Sequence, residues 1–106
     1  MVASAGSVFE FPAQSMPAWI EDGNGTIFRG VATSVTAEGA RIRLPIDPGF
    51  EEGTPVALRL SLDPDRPTIA AVARVVWVRS QGGETECGLE WTETPALLDA
   101  WLASRR

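Results

Sequence analysis

Apolar residues recur along this chain mainly at every second position, and clusters of Gly, Pro, Asn and Asp interrupt them at short intervals. That is the pattern of short antiparallel strands joined by tight turns. Ala18-Trp19-Ile20-Glu21 and Thr26-Ile27-Phe28-Arg29 flank Asp22-Gly23-Asn24-Gly25, residues that accept the positive φ of hairpin connections, and predict a hairpin over 17–35. From Ala40 the alternation places Ala40, Ile42 and Leu44 inward and Arg41 and Arg43 outward, until Pro45 ends the strand. Residues 47–53 read as a loop. Val56, Leu58, Leu60 and Leu62 then share an inward face, before a turn at Asp63-Pro64-Asp65-Arg66-Pro67.

The run from Thr68 to Arg79 is long and β-branched and predicts a strand covered on both sides, with Ala71, Ala73, Val75 and Trp77 on one face and Val72, Val76 and Val78 on the other. After Gly82-Gly83, Thr85, Cys87, Leu89 and Trp91 alternate with Glu84, Glu86, Gly88 and Glu90, a strand with one solvated face. The inward phase of these strands predicts Leu58, Leu60, Val75, Trp77, Leu89 and Trp91 as core. A helix over 95–104 closes the chain, with Thr94 as N-cap, Pro95 at N1, and Leu97, Leu98, Trp101 and Leu102 as its apolar stripe. Arg105 and Arg106 complement its C-terminal dipole. So short a helix is marginal alone, so docking on the strands is expected. The pattern therefore predicts a mainly β fold, a small antiparallel barrel or sandwich with one terminal helix.

Composition narrows what such a fold does. A chain of 106 residues with 44% hydrophobic content holds one ordinary core. Residues 1–8 read as a flexible N-terminal segment and 9–106 as a single domain. The net charge of -5 argues against nucleic acid and anionic membrane surfaces as partners. No apolar run of spanning length and no signal-peptide pattern occurs, which predicts a cytoplasmic protein. Histidine is absent and Cys87 is the only cysteine, so no His-dependent triad, intramolecular disulfide or cysteine metal cluster can form. Cys87, on an inward position, reads as a buried apolar residue. No nucleophile, base and orienter can be assembled, and no loop spaces oxygen ligands for calcium or magnesium, so neither an enzyme, a metal site nor a cofactor is expected.

Ser34-Val35-Thr36-Ala37-Glu38-Gly39 followed by Ala40-Arg41-Ile42 resembles the Asp/Asn-x-Ser-x-x-Gly turn and succeeding strand of the PilZ family. Gly53-x-x-Val56-x-Leu58-x-Leu60, the segment from Ala73 to Arg79, and Cys87-Gly88-Leu89-Glu90-Trp91 look like the later strands of that family, in order, over roughly residues 9–92. The resemblance implies a six-stranded antiparallel barrel of a kind that in many members binds cyclic di-GMP. In that family binding depends on the turn and on an Arg-x-x-x-Arg motif ahead of the first strand. Here the motif is missing: its positions fall near Ala3 to Ser7, and no arginine precedes Arg29. The turn keeps Gly39 but carries Ser34 and Thr36 in place of the acidic or amide residue and the serine.

Cyclic di-GMP is a dianion held by arginine forks, which alanine and serine cannot replace. At about 1.5–3 kcal/mol per charge-assisted contact, losing two weakens binding on the order of 10²–10⁴-fold. The sequence thus predicts a PilZ-type regulatory or adaptor domain in cyclic-di-GMP-linked control of pili, motility, secretion or biofilm, with weak nucleotide binding. It would bind a protein partner and be a monomer or weak homodimer. The alternative is a genuine receptor using Arg29, Thr36 and Gly39. Candidate ligand residues are Arg29, Ser34, Thr36, Gly39 and Arg41, although outward arginines on strands are ordinarily solvated or paired, here with Glu38 and Glu90. Candidate partner-facing residues are Val76, Val78, Leu98, Trp101 and Trp19.

Overall fold

Two-residue alternation builds a barrel in the computed structural model, which describes residues 16–104. The strands are β1 (Met16–Glu21), β2 (Ile27–Val35), β3 (Gly39–Leu44), β4 (Pro55–Leu60), β5 (Ile69–Gln81) and β6 (Glu84–Glu93), followed by helix α1 (Ala96–Ala103). All neighbours are antiparallel, in the order β1-β2-β3-β6-β5-β4, and β4 returns to β1 to close the sheet. The six-stranded barrel with one terminal helix is the expected fold. The N-terminal segment 1–8, and Arg105 and Arg106, lie outside the described residues.

The turns follow from their residues. Asp22 Oδ1 accepts from the backbone N–H of Asn24 at 2.8 Å and of Thr26 at 3.0 Å, and Gly25 takes a φ of 84° to bring β2 back along β1. Gly82 and Gly83, at φ 63° and 88°, occupy the two positions that a two-residue hairpin requires to be left-handed. This hairpin sets the register Gln81↔Glu84 and Ser80↔Thr85 and carries it inward to Trp77↔Gly88.

Inside, Ala18, Ile20, Ala32, Ile42, Leu44, Leu58, Leu60, Val75, Cys87, Leu89 and Trp91 form one buried cluster. Of the predicted core, Trp77 departs. The β5–β6 register shifts between Val75 and Trp77, so Val76 is an extra residue in β5 and the phase beyond it reverses. Val75 remains inside, Trp77 emerges half-buried on the outer surface, and Val78 turns inward against the core.

The helix begins one residue later than expected. Pro95, with ψ at 148°, is the extended cap, and no side chain caps the first turn, so Thr94 does not act as N-cap. Leu98 is fully buried in the barrel cluster, with Trp101 and Leu102 packed against it. The helix therefore docks, as its marginal length demands. Leu97 leaves the apolar stripe and is 64% exposed.

Candidate functional site

The β2–β3 connection is a rigid turn whose polar groups serve one another. The Thr36 N–H donates to Gly39 O at 2.8 Å. Thr36 Oγ1 accepts from the Glu38 N–H at 3.2 Å and the Gly39 N–H at 3.3 Å, and its hydroxyl donates to Gly39 O at 3.3 Å. Below the turn, Trp91 Nε1 donates to Thr36 O at 2.9 Å and the Trp91 N–H donates to Glu38 O at 3.0 Å. The buried indole thus ties the turn to β6, and no hydrogen-bonding capacity of the Thr36 hydroxyl is left for a ligand. Gly39 is required for a reason other than turn conformation: a Cβ there would collide with the carbonyl oxygen of Leu89 on β6.

Beside this turn lies a shallow depression of about 430 Å³ lined by Ser34, Thr36, Gly39, Arg41, Val76 and Trp77, with Glu38 and Glu90 also at its surface. Four of the five candidate ligand residues therefore meet in one place. Arg29 does not. It lies on the far side of the β2 irregularity between Ala32 and Ser34, with its guanidinium 5.9 Å from the ring of Trp19.

Trp77 is the residue that alternation alone misplaced. Arg41, Gly88 and Trp77 lie in one row across β3, β6 and β5. The indole rests on Gly88, where a Cβ would run into its Nε1 and Cε2. The Arg41 and Arg79 guanidinium carbons stand 5.8 Å and 5.6 Å from the ring centroid, within the range of cation–π attraction. Glu86 joins the two arginines, accepting from Arg79 Nη2 at 2.7 Å and standing 4.0 Å from Arg41 Nε. Glu90 pairs with Arg74 rather than with Arg41. The two-residue hairpin held the signal for this arrangement, since counting back from Gly82-Gly83 puts Trp77 opposite the outward Gly88.

The chain belongs to the PilZ family. The family model described as the PilZ domain matches residues 12–103. Solved structures agree in fold with this PilZ domain. The Bacillus subtilis inhibitor of motility MotI/DgrA superposes with a TM-score of 0.71 at 18% identity, over 87% of this chain and 44% of its own. The PilZ domain of YcgR from Escherichia coli, solved with c-di-GMP, gives 0.69 at 9% identity over 86% of this chain and 78% of its own. The PilZ domain of CeSA from a cellulose-synthesizing bacterium gives 0.62 at 21% identity, covering 91% and 92%. The chain thus spans less than half the length of MotI/DgrA. No curated protein matches the sequence.

Of the candidate partner residues, Val76 is 39% exposed and lines the depression. Leu98 is a correction: complete burial consigns it to the core. Val78 and Trp101 are partly buried against that core, and Trp19 is half-buried on the outer face of β1. Cys87 is fully buried, and burial, followed by the neighbouring charge of Glu86, pushes its thiol up to about 11. Such a thiol is protonated at neutral pH and is a packing residue, not a nucleophile. No helix among the described residues is long and apolar enough to cross a membrane.

Proposed function

We propose that this PilZ domain is a non-catalytic, cytoplasmic regulatory adaptor in cyclic-di-GMP-linked signalling, which works through protein contacts and holds the nucleotide weakly. The observation that carries this reading is the charge of the depression. Arg41 is the only cation on its lining, against Glu38 and Glu90, and Arg41 itself stands beside Glu86. Glu90 is in turn paired with Arg74 and Glu86 with Arg79, so three acids stand against three cations and a dianion entering there meets no net positive charge. No arginine precedes Arg29 in the sequence to supply the missing fork, and the Thr36 hydroxyl is occupied by its own turn. The structural neighbours, among them an inhibitor of motility and a PilZ domain holding c-di-GMP, agree with a place in that signalling class.

Isothermal titration with cyclic di-GMP tests the reading. The expected dissociation constant is no tighter than tens of micromolar, and a submicromolar value overturns the adaptor reading. Installing Ala3→Arg, Ser7→Arg and Ser34→Asp together is expected to raise affinity. A second reading, a true receptor, gains support from the half-buried Trp77 indole on the outer surface beside Ser34 and Gly39, since a base stacked on an aromatic ring contributes about 1–3 kcal/mol. It would draw on Trp77 and Arg41 rather than on Arg29 and Thr36. Tight binding that is abolished by Trp77→Ala would decide for it.

A further inference from the structure

The outer surface where β1, β4 and β5 lie side by side sinks into a groove of about 540 Å³ next to the start of α1. Its floor includes the small residues Ala57 and Ala70, and Trp19, Ile27 and Val72 wall it. Outward positions of a barrel are ordinarily polar, yet Ile27 is 62% and Val72 43% exposed. Leu97, which follows the groove-lining Ala96, is 64% exposed. Three of the five large apolar side chains exposed among the described residues therefore sit in or beside this one groove. Such a concentration on one face marks a contact surface.

Charge says what covers it. Arg59 and Glu93 both line the groove, and neither has a hydrogen-bonding or ionic partner among the described residues. A patch that carries a projecting leucine next to an apolar hollow, with the cation Arg59 and the acids Glu93 and Glu21 on its lining, presents both signs of charge and is complementary to itself. Self-complementarity is the condition for an interface with two-fold symmetry. We infer that this groove is the contact between two copies of the chain. Leu97 of each copy enters the hollow of the other, and Arg59 of each faces Glu93 of the other. The inference does not depend on the nucleotide reading, because the groove and the depression beside the β2–β3 turn share no lining residue. A face with this few apolar side chains makes a dimer that forms with rising concentration rather than an obligate one.

Sedimentation velocity of the full chain from about 1 µM to about 1 mM is expected to show a monomer passing into a dimer. Leu97→Glu is expected to weaken association at least about tenfold; the exposed position leaves the far-ultraviolet circular dichroism unchanged. Arg59→Glu and Glu93→Arg should each weaken association to a similar degree, because each sets like charges against one another at both contacts. Mixed in equal amounts, these two variants should recover a dimer, since opposite charges then meet at both. A chain that stays monomeric at the highest concentration overturns the inference. So does a dimer indifferent to Leu97→Glu, or a mixture no more associated than its components.

Discussion

Removing Trp77 tests the reversed phase of β5, and a mutational cycle with Gly88 makes the test specific. Were Trp77 a core residue, truncation to alanine would cost about 3–5 kcal/mol. On the outer surface it loses two cation–π contacts, each about 0.5–1 kcal/mol, so Trp77→Ala is expected to cost about 1–2 kcal/mol. Gly88→Ala alone puts a Cβ where the indole Nε1 and Cε2 lie; the ring must lift away and the same contacts weaken, again at about 1–2 kcal/mol. In the Trp77→Ala background that obstacle is gone. Alanine then gains the roughly 0.5–1 kcal/mol by which it exceeds glycine inside a strand, so the same substitution stabilises. The coupling is about 2 kcal/mol, large for a pair on an outer surface. Urea unfolding followed by circular dichroism measures all four chains. A Gly88→Ala effect of the same sign and size in both backgrounds would refute the packing of the indole on Gly88.

Two further outcomes follow from close contacts inside the barrel. Gly39→Ala is expected to destabilise by about 3 kcal/mol, as for a severe overpacking, because the obstacle is the Leu89 carbonyl and not a side chain that can swing aside; an unchanged thermal midpoint would contradict the β3–β6 approach. Cys87 titrates at about 11 in the folded chain against 9.0 for the free thiol, so its stabilising effect is complete below pH 9.0 and is lost as pH rises through about 11. The chain has no lysine or tyrosine, which leaves Cys87 the only side chain ionising in that window. Stability should therefore fall on the order of 2–3 kcal/mol there, and a Cys87→Ala chain that loses as much would refute the assignment.

The fold was legible wherever one face of a strand is polar. In β3, arginines alternate with Ala40, Ile42 and Leu44, and in β6 glutamates alternate with Thr85, Cys87 and Leu89, so a slip of one residue would put charge in the core. Both strands take the expected phase. Past Val75 in β5 that safeguard fails, because Val76, Trp77 and Val78 are all apolar and either phase satisfies burial. An inserted residue is invisible to period-two reading there, and only the register counted from the Gly82-Gly83 hairpin exposes it. The helix starts one residue later than its sequence suggests for a local reason: Thr94 and Pro95 look like a cap and first turn, but Pro95 is extended and its own carbonyl accepts the first bonds, from the N–H groups of Leu98 and Asp99.

The candidate site was half legible, for reasons of range. Ser34, Thr36 and Gly39 are close in sequence, so a turn motif gathers them whatever the rest of the chain does. Arg41 joins them because it pairs with Ser34 across the β2–β3 ladder, whereas Arg29 has the same charge but pairs with Trp19 on β1. What sequence could not supply is how the outward charges cancel. Arg41 and Arg79 converge on Glu86, and Arg74 on Glu90, three cations from three different positions spent on two acids of β6. Each exposed pair contributes little to stability. With Glu38 on the same lining they set three acids against three cations around Trp77, and the proposed weak hold on a dianion rests on that balance.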